Sequence, residues 1–143
     1  MQRIVDTLKK DIAVTFEPAD ERAIKFAGAM LTSHGVIPIP EEYIDFLKIT
    51  DGLVWNGMEL YGTKAYDRES KGYSLPGIID ANMDFMGIDA LAGKMILGRA
   101  SEELLVYSGK DNRYQCVDRT DFMVTQVAPS FSELIYTFVE GLF

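Results

Sequence analysis

Four short apolar segments follow one another from residue 95 onward, and this run constrains the fold more than any other feature of the chain. They cover residues 95–98, 104–107, 114–118 and 122–127. The gap at 108–112, Ser-Gly-Lys-Asp-Asn, is rich in residues that tolerate unusual backbone angles, and it predicts a hairpin turn. Sequential strands joined by tight turns pair as an antiparallel meander.

Helical periodicity dominates the chain on both sides of this run. Apolar residues recur at spacings of three and four, which is typical of a helix with one buried face. The second helix is expected to bury a stripe that includes Phe26, Ala27 and Leu31. Glycines, charges and Pro76 predict a loop over 63–77. The predicted helices cover residues 4–16, residues 20–33, a short segment from Pro40, residues 78–91 and a last segment capped by Ser130 or Ser132.

The order of these elements predicts an α+β fold. A strand at 58–61 precedes the meander, so we expect a mostly antiparallel sheet of about five strands, with helices packed mainly on one face. That arrangement leaves the other sheet face, or a groove beside the first strand, open for a partner. No repeat or linker marks a second domain, and residues 1–143 are predicted to form one domain.

Composition limits the class of partner. The chain has a net charge of −8, and residues 101–143 carry seven acidic and three basic side chains. Nucleic acid and anionic membranes repel such a protein, whereas a basic macromolecule attracts it. No apolar stretch is long enough to span a bilayer, the N-terminus lacks the apolar core of a secretory signal, and a lone cysteine fits a reducing compartment. We therefore expect a cytoplasmic protein without a membrane or nucleic-acid partner.

Residues that carry most enzymatic chemistry are scarce. His34 is the only histidine and follows a predicted helix, where interaction with the helix dipole accounts for it. Cys116 is the only cysteine, and within a strand it is expected to be a small buried side chain. The sequence has no zinc-ligand spacing, no calcium loop and no glycine-rich phosphate loop. We predict no catalytic residue, no metal site and no cofactor.

Aromatic and acidic side chains at turns and loops are the candidates for binding. Trp55 and Asn56 precede the first predicted strand, and Tyr66 and Tyr73 lie among charged side chains in the predicted loop. Tyr and Trp are common interface anchors, with core packing as the ordinary alternative. The candidate partner-binding residues are Trp55, Asn56, Glu59, Tyr66, Tyr73, Glu102, Glu103, Asp111 and Asp121.

An ordered set of short motifs resembles the SUKH superfamily. Residues 39–52 read I-P-E-E-Y-I-D-F-L-K-I-T-D-G and are similar to the superfamily's P-x-x-Y-x-x-F-L helix followed by an Asp-Gly turn. Residues 55–62, W-N-G-M-E-L-Y-G, and residues 78–82, I-I-D-A-N, resemble its YrhA-like branch. The segments Met95–Gly98, Leu105–Tyr107, Cys116–Asp118 and Ser130–Leu134 follow in the same order, so that the resemblance covers residues 18–143.

This resemblance implies an α+β fold and a binding function. Many bacterial members are immunity proteins that neutralise a cognate toxin, often a nuclease, and others are intracellular regulators. The superfamily has no agreed catalytic residues, and its motif residues serve mainly the fold. The charged segment at 66–73 departs from the pattern.

Three functions follow as hypotheses. The first is an immunity protein that occludes the basic site of a toxin domain, with acidic residues for electrostatic complementarity and aromatic anchors. The second is a regulatory scaffold that binds an endogenous protein through the same surface. The third is an enzyme with a deep pocket and perturbed carboxylates near Asp51 and Glu59.

Overall fold

A seven-stranded antiparallel sheet forms the centre of the computed structural model, which describes residues 1–68 and 73–143. The strands of this sheet are β1 (Val14–Thr15), β2 (Leu53–Trp55), β3 (Met58–Leu60), β6 (Lys94–Ala100), β7 (Glu103–Ser108), β8 (Arg113–Asp118) and β9 (Val124–Ala128). Two further strands, β4 (Tyr66–Arg68) and β5 (Tyr73–Leu75), pair with each other. The helices are α1 (Gln2–Lys10), α2 (Glu21–Ser33), α3 (Glu41–Leu47), α4 (Ile78–Asp84) and α5 (Phe131–Val139), with short 3₁₀ turns at Asp89–Leu91 and Glu140–Leu142.

The sheet order is β1-β2-β3-β6-β7-β8-β9, and every neighbouring pair is antiparallel. The predicted α+β class and the meander from β6 to β9 are confirmed. The predicted number of about five strands is too low. β1 and β2 extend the main sheet beyond β3, and a separate hairpin is formed by the pairing of β4 with β5.

The strands that the sequence did not predict are either very short or lie in a polar segment. Asn56 and Gly57 have φ angles of 45° and 82° and form a two-residue turn between β2 and β3. Asn-Gly is the strongest short hairpin signal because both residues tolerate positive φ, yet β2 is only three residues long. The predicted loop at 63–77 contains the β4–β5 hairpin instead, and two of its charged residues, Glu69 and Lys71, lie outside the described residues.

Two predicted helices are too long. α1 ends at Lys10, and Ile12 adopts a φ of 68° before the chain turns into β1. α4 ends at Asp84, since Gly87 with a φ of 85° breaks the segment predicted to run to Leu91. In α2 the predicted buried stripe is wrong at Phe26, which is 63% exposed.

Three helices pack together on one side of the sheet. The buried ring of Phe131 in α5 lies 5.7 Å from that of Tyr114 in β8 and 5.1 Å from that of Tyr43 in α3. α1 lies beside α5 and buries Val5 and Leu8 in the same core. This arrangement agrees with the expectation that helices pack mainly on one face.

The N-terminus of α5 is held at two points. The side chain of Ser130 accepts a hydrogen bond from the backbone N–H of Glu133. Of the two serines that the sequence offered as N-cap, Ser130 and Ser132, the structure therefore assigns Ser130. The carboxylate of Glu42 in α3 accepts hydrogen bonds from the N–H groups of Phe131, at 2.6 Å, and Ser132, at 3.1 Å. A carboxylate at this end of a helix satisfies free donors and complements the helix dipole, so it fixes α5 against α3.

The opposite face of the sheet is not open, so that one of the two predicted openings is wrong. Ile96, Val106 and Gln115 share this face through the register of β6, β7 and β8, and all three are buried. Phe85 and Ile88, which follow α4, line one pocket with Ile96 and pack against the core. Apolar residues at nearly every position of the meander strands reflect a sheet that is covered on both faces.

The side chain of Asn82 hydrogen-bonds to the backbone of β6 at Ile96, beyond the point where β3 ends. Its side-chain amide donates to the carbonyls of Ile96 and Ile78, both at 2.9 Å, and its Oδ1 accepts from the Ile96 N–H at 2.8 Å. Asn82 is 5% exposed. A buried amide thereby takes the place of a neighbouring strand.

We expect Asn82→Ala to lower the free energy of unfolding by about 2–4 kcal/mol, because it leaves two buried backbone groups of Ile96 without partners. Urea denaturation followed by circular dichroism measures this loss. Asp80→Ala, at an exposed position of the same helix, is the matched control, and it should cost less than about 1 kcal/mol. Equal losses for the two variants would contradict this role of Asn82.

Candidate partner-binding surface

Four acidic residues meet at one end of the sheet, where the β6–β7 and β8–β9 turns lie side by side. Glu103 and Asp118 are direct cross-strand partners. The N–H of Arg119 donates to the carbonyl of Glu102 at 2.8 Å, which joins the two turns. We call Glu102, Glu103, Asp118 and Asp121 the acidic end; Glu102 and Asp121 are exposed, and the other two are half-buried.

Internal hydrogen bonds hold the acidic end in shape. Oδ1 of Asp118 accepts from the N–H groups of Thr120, at 2.7 Å, and Asp121, at 3.2 Å. Oδ1 of Asp121 accepts from the Met123 N–H at 2.9 Å. Asp side chains commonly organise turns in this way, and here they keep negative charge on a fixed backbone.

The β2–β3 turn lies at the same end of the sheet, since Met58 pairs with Ala100 at the start of the β6–β7 turn. Asn56 is exposed in this turn, and Trp55 is half-buried. The Trp55 Nε1–H donates to Oδ2 of Asp11 at 2.9 Å, which ties the indole to the end of α1. Trp55 and Asn56 therefore lie at the same end of the sheet as the acidic end, and the indole is already hydrogen-bonded within the chain.

Glu59 lines a groove of about 300 Å³ beside β3, as predicted for the first strand. Its carboxylate lies 3.9 Å from Nε of Arg99, the residue opposite on β6. Burial raises the pKa of Glu59, while Arg99 and Arg119 lower it. The Nε of Arg99 is buried and has no hydrogen-bond partner among the described residues. Ser74 and Asp84 complete the polar lining.

Asp51 does not share this groove with Glu59. It is 2% exposed, and its carboxylate accepts from the Thr63 N–H at 2.6 Å and from the hydroxyls of Thr63, at 2.9 Å, and Tyr66, at 2.7 Å. A Cβ at Gly62 would overlap the Asp51 carbonyl oxygen, so the chain needs glycine there. Asp51 thus anchors the segment that leads into β4.

Tyr66 and Tyr73 lie together, away from the acidic end. The half-buried ring of Tyr66 stacks on Phe16 with centroids 4.0 Å apart, and Tyr73 meets Phe16 edge-on at 6.0 Å. The Tyr66 hydroxyl is already bonded to Asp51. Both tyrosines hold the β4–β5 hairpin to the body of the protein.

Asp111 lies at the opposite end of the sheet, in the β7–β8 turn, where it accepts from the Ser108 hydroxyl at 3.1 Å. The structure therefore brings five of the nine predicted residues to or beside one end and leaves four elsewhere, namely Glu59, Tyr66, Tyr73 and Asp111. Sequence reasoning missed Arg99 and Arg119, whose relation to Glu59 depends on strand register. The residues at or beside the acidic end are Trp55, Asn56, Glu102, Glu103 and Asp121.

Groups suited to metal binding or nucleophilic chemistry are dispersed. In residues 1–68 and 73–143, no three His, Cys, Asp or Glu side chains are grouped to hold a metal ion. His34 is exposed at the end of α2, with Nδ1 2.8 Å from the Met30 carbonyl oxygen. Cys116 is fully buried, as predicted, and burial together with the charge of Glu103 raises its pKa to about 12.

We expect Cys116 to react with a water-soluble disulfide reagent at least roughly a hundredfold more slowly in the native chain than in urea. At pH 8 a thiol with a pKa of about 12 is ionised in only about one molecule in 10,000, and the thiolate is the reactive form. Stopped-flow absorbance measures both rates, with a free small-molecule thiol as the control for the effect of urea. Native labelling as fast as in urea would contradict a buried, protonated Cys116.

No family model matches the chain, and no curated protein matches it either. The SUKH resemblance remains a prediction based on motif order. Among the residues that the structure describes, none of the helices has the length and apolar character needed to cross a membrane.

Proposed function

We propose that the protein is a non-catalytic binding domain that neutralises a basic partner, a toxin domain of the nuclease type, by covering its positively charged site. The observation that carries the proposal is the acidic end, where two adjacent turns present four carboxylates on a fixed backbone. Nuclease sites are basic because they bind phosphate, so a surface of this kind is complementary to them.

Charge balance supports this assignment. Arg119 lies in the same turns as the four carboxylates and donates through Nη1 to the Ser101 carbonyl oxygen at 3.4 Å. Because this one cation stands against four carboxylates, the local charge is negative, in keeping with the net charge of −8. Opposite charges across an interface speed association and select the partner more than they add to affinity.

Rigidity supports it as well. The bonds from Asp118 and Asp121 to the turn backbone and the bond from Trp55 to Asp11 exist within the free chain. A preformed surface loses little conformational entropy on binding, which suits stoichiometric occlusion. Trp55, at the same end of the sheet, offers an aromatic edge for contact.

The test is affinity capture of the tagged protein from extracts of its native cells, with products of the neighbouring genes co-expressed. Capture is carried out at low and at high salt, and the activity of any partner is assayed with and without the protein. A stoichiometric, salt-sensitive partner with nuclease activity that the protein abolishes would support the proposal. A partner without toxic activity would favour a regulatory scaffold and overturn the immunity role.

We expect the double variant Glu102→Gln/Asp121→Asn to lower the association rate constant for the captured partner roughly fivefold to tenfold at low ionic strength, because it removes two charges that steer the encounter. Both substitutions keep the side-chain shape, and the amide that replaces the Asp121 carboxylate retains an oxygen for the Met123 N–H. Stopped-flow fluorescence measures the rate.

Asp89→Asn/Asp111→Asn removes the same charge at exposed sites outside the acidic end and is the matched control. It should leave the association rate within about twofold of wild type. An equal slowing by both pairs would show that net charge acts, and the acidic end would lose its assigned role. The difference should shrink at high salt because screening shortens the range of the charges.

A further inference from the structure

β9 is the last strand of the sheet, and its outer edge has no strand beside it in the part of the chain that the structure describes. From Phe122 to Pro129 the sequence contains no charged residue. Met123, Val124 and Val127 are 67%, 43% and 54% exposed. Soluble proteins usually protect such edges with charges, proline or a covering element, because an open edge pairs with other strands.

A groove of about 470 Å³ runs beside this edge. Val127 and Gln126 form its sheet side, while Ile4 of α1 and Tyr136 and Thr137 of α5 form its helical side. The helical layer therefore continues past the last strand. We call this space the β9 groove; it lies where one more strand would pack between the sheet edge and the helices.

The edge remains usable despite a local irregularity. The register between β8 and β9 shifts at Thr125, whose hydroxyl bonds to Glu103 and to the Cys116 carbonyl oxygen. From Gln126 to Ala128 the pairing with β8 is regular. This regular part borders the β9 groove.

Charges at the two ends of the edge select the occupant. Asp121 is exposed before the start of β9, and Glu133 is exposed on the wall of the β9 groove beyond its end. If two copies paired their β9 edges antiparallel, Asp121 of each copy would approach Glu133 of the other. Like charges in such positions destabilise strand pairing. An extended segment with basic residues at its ends meets opposite charges instead.

We propose that β9 binds an extended segment of a basic protein partner as an additional strand. Its backbone pairs with the free edge, its inward apolar side chains enter the β9 groove against Tyr136 and Ile4, and flanking Lys or Arg residues reach Asp121 and Glu133. Backbone pairing supplies affinity in this mode, and the pocket for alternate side chains supplies specificity. The basic nature of the partner rests on the proposed function; the edge and its groove do not.

Selection from a displayed library of random eight-residue peptides against the full-length protein tests this site. The library contains acidic, neutral and basic sequences alike, so charge preference is a result of the experiment. We expect enriched peptides to alternate apolar residues and to carry Lys or Arg near both ends. We expect Val127→Lys to weaken the binding of the best synthetic peptide at least tenfold, because it places a cation on the edge.

Phe26→Lys introduces the same charge at another exposed apolar residue, on α2, and should leave peptide affinity within about twofold. Hydrogen exchange of the wild-type protein with the best peptide should slow at amides of β9 and leave those of β1, the other edge, unchanged. Absence of enrichment, or binding that Val127→Lys leaves intact, would overturn the proposal. A dimer in sedimentation that Val127→Lys dissociates would assign the edge to a second copy and also overturn it.

The two proposals fail separately. A captured toxin that protects the acidic end while β9 exchanges freely would retain the proposed function and overturn strand addition at β9. Peptides that protect β9, in a protein that neutralises no toxin, would retain the strand-binding site and overturn the immunity role.

Discussion

The buried hydroxyl of Tyr43 is the contact on which the rest of the structure depends. Its oxygen lies 2.5 Å from the Tyr61 carbonyl oxygen and 3.0 Å from that of Leu97, so one hydroxyl ties α3 to the chain after β3 and to β6. The ring packs against Phe46 and Phe131. Burial raises the pKa of Tyr43 well above its usual range, which keeps the donor proton in place. The fully buried side chain of Tyr43 therefore links the helical layer to the sheet.

This packing decides which surfaces remain for binding. α3 fixes α5 through Glu42, and α5 in turn lies beside β9 without covering its outer edge. The opposite face of the sheet is closed by the segment after α4, and Asn82 fills the edge of β6. Among the described residues, the end of the sheet with the acidic turns and the outer edge of β9 remain accessible. The two lie next to each other, since only Phe122 and Met123 separate Asp121 from the start of β9.

Local patterns predicted the meander, the hairpin at 108–112, a serine cap of α5 at either Ser130 or Ser132, and the burial of Cys116, because each depends on neighbours in the chain. β1 and β2 escaped prediction, since strands of two or three residues have too few positions for a periodic signal. Phe26 was misplaced because α2 buries only a narrow stripe through Ile24, Ala27 and Leu31. The choice of which strands pair does not follow from local pattern, whereas the nearly continuous apolar run of the meander strands is a local sign of a sheet covered on both faces.

The sequence by itself determined the α+β class, the antiparallel meander, the acidity and the candidate acidic residues, because these follow from spacing and composition. Only the tertiary structure decided that Glu102, Glu103 and Asp121 share one end with Trp55 while Asp111 lies at the other. It alone showed that Tyr66 is engaged by Asp51 and that, among the described strands, none lies along the outer edge of β9. Strand register and layer packing join residues far apart in the chain, and no local pattern encodes those distances.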